Sequence, residues 1–287
     1  MFKRLLVFSL ILFVAAFAFA QQAAPKPAEL TTTKLADNLY TLTGSGGNMA
    51  FLVTDEGVLL VDAGTQPIAA EIRAAIKSVT DKPIKYIFIT HHHHDHVASL
   101  AQLSKDAPVL AQENTYKRIA GQAPQAIAFS DQMCLHMGGK GIRFIHPLAS
   151  GHTDGDGVVW FVKENVVHMG DELFAGMFPY MDLDAGGNVL SLADSVDKVV
   201  AMVPPDTKFI PGHGPIYTAA QMKEYTAFLR DTAELVRAAI KQGKTLDQMK
   251  AENVLAKYEK MSNFVKTPQF TEWVYKSVQA KDAAAAK

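Results

Sequence analysis

Residues 84–96 read IKYIFITHHHHDH, and the rest of the chain is organised around this stretch. Its first half, 84–89, is a short apolar run rich in β-branched and aromatic side chains, the signature of a buried strand. Residues 97–103 then read as the start of a helix. The histidines therefore sit where a strand ends and a helix begins, the position at which α/β proteins place chemistry. Imidazole and carboxylate are the usual nitrogen and oxygen ligands of zinc and related divalent ions. Alternate residues of an extended turn, His91 and His93, can converge on one ion, and Asp95 with His96 can face a second about 3.5–4 Å away. A histidine run can also be a tag or a metal-scavenging tract, but this one is internal, follows a core strand and has partners elsewhere in the chain.

On the N-terminal side, 39–43, 50–54 and 58–61 read as strands, separated by turns at 44–47 and 55–57. The third ends in Asp62-Ala63-Gly64, where Asp62 either buttresses the histidine loop by accepting hydrogen bonds or simply forms a turn. Residues 68–79 have helical periodicity, with Ile68, Ile72, Ile76 and Val79 on one face. On the C-terminal side, 109–111 is a short strand and 114–119 a short helix. Residues 121–140, glycine-containing and weakly periodic, are expected to be a loop region bordering the site. A strand over 142–146 carries His146, read as a packed or surface residue. Gly151-His152-Thr153 is a glycine-rich turn that offers His152 as a third imidazole. The strand 166–169 ends in Gly170-Asp171, which can put a carboxylate into a cleft. Residues 173–188 (LFAGMFPYMDLDAGGN) read as a substrate-facing loop with Phe178 and Tyr180 as its walls. After a helix over 191–202, the strand 208–210 ends in Pro211-Gly212-His213-Gly214-Pro215, where a histidine between glycines favours a ligand. Five separate segments, at Asp62, 91–96, His152, Asp171 and His213, thus bring metal-type residues to strand ends.

On these residues the chain resembles the metallo-β-lactamase superfamily. The family's Thr-His-x-His-x-Asp-His motif is matched by Thr90, His91, His93, Asp95 and His96. Its further motifs are matched by Asp62 in Val-Asp-Ala-Gly, His152 in Gly-His-Thr, Asp171 in Gly-Asp and His213 in Pro-Gly-His-Gly. The resemblance covers roughly residues 35–220. It implies an α/β fold, the four-layer αββα sandwich, with a two-metal hydrolytic site along one edge of the packed sheets. It also implies that His91, His93 and His152 hold one Zn2+, that Asp95, His96 and His213 hold a second, and that Asp171 bridges them. His92 and His94 then fall at variable positions and point away. Asp62, Thr90 and Thr153 are expected to orient the ligands by hydrogen bonds.

Two such ions would turn a shared water into a bound hydroxide that attacks a carbonyl-type substrate: a lactone, β-lactam, ester or thioester. Asp95 would orient that nucleophile and relay its proton. An aspartate at the bridging position resembles glyoxalase II and the lactonases more than β-lactamases, in which a cysteine or serine is typical, so β-lactam hydrolysis is expected as a side activity. The nuclease branches usually carry large inserted domains. The diiron flavoproteins have Glu where His93 stands and need a flavodoxin domain. Mononuclear iron sulfur dioxygenases keep most of the same ligands and are the alternative, separable by metal content. A metal carrier without turnover would keep the ligands too.

The 287 residues are 48% hydrophobic and 20% charged, with net charge −1, which suits one large domain or a domain with an appendage. No basic cluster argues for nucleic acid, so the expected partner is a small-molecule substrate. Residues 1–20 have a short basic start (Lys3-Arg4), an apolar run and Ala18-Phe19-Ala20, and read as a signal peptide cleaved after Ala20. The run is shorter than the roughly 20 residues of a membrane span, so a periplasmic or secreted protein without stable membrane anchoring is expected. Cys134 is the single cysteine, which excludes an internal disulfide, and is read as a small buried hydrophobe. Residues 21–33 are expected to be a flexible leader, 34–218 the catalytic domain, and 219–287 C-terminal helices packed on the same domain and ending in a frayed tail.

Overall fold

The computed structural model describes residues 29–65 and 67–285. The expected signal peptide lies outside the described residues. Strands β1 (Thr31–Ala36), β2 (Leu39–Thr43), β3 (Met49–Val53) and β4 (Val58–Val61) form an antiparallel meander. Helix α1 (Ala69–Lys77) then crosses to β5 (Ile84–Ile89), which pairs parallel with β4. Two short helices, α2 (His94–Val97) and α3 (Leu100–Leu103), lead to β6 (Val109–Gln112), and α4 (Glu113–Ile119) leads to β7 (Ala126–Phe129); both strands extend the parallel half.

The second sheet contains β8 (Gln132–Met137), β9 (Lys140–Ile145), β10 (Val158–Phe161) and β11 (Val166–Phe174), all antiparallel neighbours. Helix α5 (Val189–Met202) crosses to β12 (Lys208–His213), parallel to β11, and β13 (Tyr217–Thr218) closes that edge. The chain ends in α6 (Ala219–Lys241), α7 (Leu246–Ala251), a 3-10 turn (Ala256–Met261) and α8 (Thr267–Ala285). No helix among the described residues is long and apolar enough to cross a membrane.

Three apolar layers explain why the strands read as continuous rather than alternating runs. In β3, Ala50 and Leu52 face the second sheet while Met49 and Phe51 face the helices; in β5, Phe88 points inward while Ile87 and Ile89 point to α1 and α3. Phe88 stacks on Phe144 of β9 with ring centroids 4.7 Å apart, joining the two sheets. The outer face of the second sheet, including Val167, Met169 and Phe209, is covered by α5, α6 and α8 through Leu192, Val196, Phe228, Leu229, Phe270 and Val274. The result is the expected αββα sandwich with C-terminal helices. A capping box at Thr218 and Gln221 fixes the start of α6 where the sequence places it.

Several expectations are corrected. Residues 121–140 are not a loop bordering the site: they contain β7 and β8, at sheet edges, where one face meets solvent and the apolar signal is halved. Cys134 lies on β8 and is exposed, not buried. β1 begins at Thr31, inside the segment read as leader, because it pairs with β2. β11 does not stop at Met169 but continues to Phe174 through register shifts around Gly170, whose φ is 53°. α8 runs to Ala285, so 279–285 is helical, as its run of strong helix formers allows.

Candidate metal centre

The site lies where β4, β5, β11 and β12 end, with the 151–157 turn closing over it. Its foundation is Asp62, which follows β4 with φ 65° and is fully buried. Its carboxylate can only accept. It takes the Thr90 N–H at 2.8 Å, the Thr90 hydroxyl at 2.9 Å and the His96 Nδ1–H at 2.8 Å. The Thr90 hydroxyl has then spent its hydrogen, so at 3.1 Å it accepts from His91 Nδ1. Asp62, at the end of the strand paired with β5, is therefore the buttress of the histidine loop.

The same accounting fixes two more rings. His152 Nδ1 lies 2.8 Å from the Tyr180 carbonyl, which can only accept. His93 Nε2 lies 2.9 Å from the carboxylate of Asp182 and donates to it. With the outer nitrogens occupied, His91 Nε2, His152 Nε2 and His93 Nδ1 turn lone pairs toward one another, and His96 Nε2 faces Asp171 Oδ1. His152 Nε2 and His93 Nδ1 are 2.9 Å apart, a repulsive contact between two acceptors unless a cation lies between them. His91 Nε2 is buried with no hydrogen-bond partner. Such an orphan is costly in an interior unless a metal satisfies it.

Asp171 is the common centre. Its Oδ2 lies 3.7 Å from His91 Nε2, 3.6 Å from His152 Nε2 and 3.5 Å from His213 Nε2; its Oδ1 lies 3.1 Å from His96 Nε2. On the far side, Asp95 Oδ2 is 3.0 Å from His213 Nε2 and 3.5 Å from His96 Nε2. Among the described residues, ligand atoms converge in three groups that could hold an ion: His91–His93–His152–Asp171 and Asp95–His96–His213 around Asp171, and His92–His93–Asp182 beside them. All seven residues proposed from sequence as ligands are thus brought together. Gly212 has a role beyond flanking His213: a Cβ there would collide with Asp171 Oδ1.

The two groups around Asp171 differ electrically. Burial pushes His91 well below the ordinary imidazole range, helped by His96, and burial with His152 lowers His93. Burial also opposes charge on His96 and His213, yet Asp171 and Asp62 hold His96 well above its ordinary value, and Asp171 and Asp95 raise His213 to about 9. Against its own burial, Asp171 is held well below the carboxylate range by His96, His91 and His213.

Some assignments change. Phe178 is not a wall of the site: it is 1% exposed and stacks on Phe270 at 4.5 Å, in the core with Phe228. Tyr180 does line the chamber over the site. Thr153 does not touch a ligand ring; its hydroxyl and N–H bind Asp156 at 2.7 and 2.6 Å and staple the turn. Orientation of His152 falls to the Tyr180 carbonyl instead. His92 does not point away, since its Nε2 is 3.7 Å from Asp182 Oδ2, and exposed His94 lines the chamber.

Residues not singled out from sequence also build the site. Asp182 holds His93. His168, fully buried, donates to the Asn48 carbonyl at 2.9 Å and accepts from the Gly170 N–H at 3.2 Å, and so holds the backbone next to Asp171. Asn48 clamps the His213 turn through the carbonyls of Pro211 and Gly214, both at 3.0 Å. Asp182 carried one usable signal, a carboxylate in the Asp/Gly-rich loop beside Tyr180.

Comparison with known proteins follows this geometry. Residues 42–214 match a sequence model described as the metallo-beta-lactamase superfamily. A probable metallo-hydrolase of Streptococcus pyogenes serotype M6 is 28% identical over 208 residues, 64% of this chain and 86% of that protein. A hydroxyacylglutathione hydrolase of Ectopseudomonas mendocina is 33% identical over 123 residues, 41% of this chain and 42% of that protein. Among solved structures, a metallo-beta-lactamase from Pontibacter korlensis superposes with a TM-score of 0.61 at 20% identity, covering 70% of this chain and 99% of that one, which speaks to the fold.

Proposed function

The chain belongs to the metallo-β-lactamase superfamily, and from that premise we propose that it is a binuclear zinc hydrolase of carbonyl-type substrates, lactones, esters, thioesters or β-lactams. That it is a metal-dependent hydrolase follows from the family and its metallo-hydrolase relatives. The observation that carries the finer reading is the pattern of ring nitrogens. Four imidazoles have their outer nitrogen engaged by Asp62, Thr90, Asp182 and the Tyr180 carbonyl, and present the other toward Asp171. Imidazole and carboxylate without thiolate suit zinc. Zinc in both groups would acidify a water between them and polarise the oxygen of the substrate.

The protein's own part is placement and proton handling. The Asp62–Thr90 bonds keep His91 and His96 from rotating. Asp95 Oδ2, at the chamber floor beside His213, is placed to take the proton of the attacking water and return it to the leaving group. Phe174, Met177 and Tyr180 enclose the reacting centre with apolar surface and limit bulk water.

The test is elemental analysis of the untagged mature protein together with turnover of lactones, thioesters, esters and nitrocefin. Two zincs per chain with hydrolysis of at least one class is the expected result. One iron per chain and no hydrolysis would replace this reading with the iron sulfur dioxygenase, and two zincs without turnover of any class would leave a metal carrier. Export is proposed from the reading of residues 1–20, and an N-terminus at Gln21 in the mature protein is the expected sequencing result.

A further inference from the structure

The chamber above the metal centre has a volume of about 630 Å3 and two unlike surfaces. Its floor is His93, Asp95, Asp171 and His213; its walls include Phe174, Met177, Tyr180 and Phe264. None of the described residues lining it is Lys or Arg. Outside the ligand set, the described lining residues offer one imidazole, His94, and no carboxylate. Beyond the metal centre itself, an anionic substituent would meet Phe174, Met177, Tyr180 and Phe264, with no Lys or Arg to pair with it. A charge desolvated there without a partner is strongly disfavoured.

Phe264 is the second observation. It is 74% exposed, the most exposed of the large hydrophobics among the described residues, yet its neighbour Val265 is buried. The segment carrying it is anchored: the Phe178 N–H donates to the Met261 carbonyl at 3.0 Å, and Thr267 Oγ1 donates to Glu259 at 2.8 Å. The ring stands 6.4 Å from that of Tyr180, which Trp273 of α8 braces edge-on at 5.1 Å. A fixed aromatic held into solvent at the mouth of an apolar chamber is a surface awaiting a ligand. It comes from the C-terminal segment, beyond the 42–214 stretch shared with the family.

We propose that the substrate is an uncharged ester or lactone with an apolar acyl chain, and that Phe264, with Tyr180, sets the preferred chain length. This rests on the hydrolase reading above. In the reaction the oxygen of water bonds to the acyl carbon. The acyl–oxygen bond breaks with its electron pair on the leaving oxygen, which takes a proton that came from the water. The products are a fatty acid and an alcohol, or a hydroxy acid from a lactone. The acyl chain lies along the apolar wall that Tyr180 and Phe264 form, and the reacting carbon sits over Asp171.

The test uses the zinc-loaded, full-length protein in two arms. In the first, p-nitrophenyl acetate, butyrate, hexanoate and octanoate are compared with the hexanoate's anionic counterpart, the p-nitrophenyl monoester of adipic acid. kcat/KM is expected to rise roughly three- to fourfold per added methylene until the chamber is filled, and the adipate monoester to fall at least about tenfold below the hexanoate. Phe264→Ala should flatten the length dependence and Phe264→Leu largely restore it, with zinc content unchanged in both. In the second arm, calorimetry with 2-butanone and 2-octanone, which cannot be hydrolysed, should show the longer ketone binding more tightly, with the advantage lost in Phe264→Ala.

Equal turnover of the adipate monoester and the hexanoate would overturn the charge selection. A length dependence surviving in Phe264→Ala in both arms would overturn the role of Phe264. If the ketones bind as stated but no ester is hydrolysed, the hydrolase reading fails while the apolar chamber stands. If esters are hydrolysed without any length dependence, the chamber assignment fails while the hydrolase reading stands.

Discussion

Of the two trios that meet at Asp171, His91, His93 and His152 are the more enclosed, only His93 reaching the chamber, whereas in the other Asp95 and His213 open to it around the buried His96. The side chains of the first are 1, 19 and 0% exposed, and those of the second 31, 0 and 25%. The enclosed trio is all imidazole, and burial keeps His91 and His93 neutral before any ion arrives. The open trio is mixed with carboxylates, and Asp171, Asp62 and Asp95 keep His96 and His213 protonated at neutral pH. One half is thus preset to receive a metal, and the other must exchange protons for it. The lesson is that a symmetric ligand list can conceal two different binding reactions.

The comparison can be broken most decisively at its shared member. Asp171→Ala should abolish hydrolysis and reduce bound metal in both halves; elemental analysis that still found two ions would remove Asp171 from the centre. Next come two carboxylates outside the ligand set: Asp62, which reaches both halves through His96 and through Thr90 to His91, and Asp182, which holds His93 alone among the ligands. Asp62→Ala strips three donors of their acceptor in a fully buried position, so it should lower stability by about 3 kcal/mol or more. It should also weaken metal binding about 10–100-fold. Asp182→Ala should weaken metal binding by a similar factor through His93 but leave the melting temperature nearly unchanged, because Asp182 is partly exposed. Equal losses of melting temperature in the two variants would erase the distinction.

Proton release sharpens the same contrast. His213 titrates at about 9 in the metal-free fold, above its unfolded value of roughly 6.5. Its contribution to stability is therefore fully present below 6.5 and lost as pH rises through 9. Zinc must displace that proton, so between those pH values one equivalent of added zinc should release protons and the other far fewer, measurable by calorimetry in buffers of different ionisation enthalpy. Uniform release across both equivalents would contradict the assignment. The smallest effect is expected at His94. His94→Ala removes a chamber lining group but should leave two ions bound and shift KM within about threefold; loss of metal would mean that the ligand register is displaced by one.

The parts of the molecule that could be read from sequence were those where one physical demand dominates. β5 is buried on both faces over its last three residues, Ile87-Phe88-Ile89, so its apolar run is unbroken there, and the ligand motif follows it without a gap. Asp62 was open between two roles because a turn former and a buttress look alike until Thr90 and His96 are seen to share it. β8 escaped notice because an edge strand followed by Gly138-Gly139 alternates polar and apolar residues over too short a span. Phe178 and Tyr180 are two residues apart in an irregular loop. Which of them faces the site depends on Phe228 and Phe270, about 50 and 90 residues downstream. Thr153 failed for a related reason: its partner Asp156 is local, whereas the carbonyl that orients His152 comes from Tyr180.

The segment between β11 and α5 carries three duties within a few residues. The ring of Tyr180 walls the chamber, its carbonyl orients His152, and Asp182 orients His93. A lineage exploring new substrates by altering this loop would loosen two metal ligands with each change, so its variation is constrained from within the active site. Phe264 reaches the same chamber from a separate stretch of chain. Divergence among descendants of this enzyme should accumulate there first, with the loop held nearly constant while the C-terminal segment drifts.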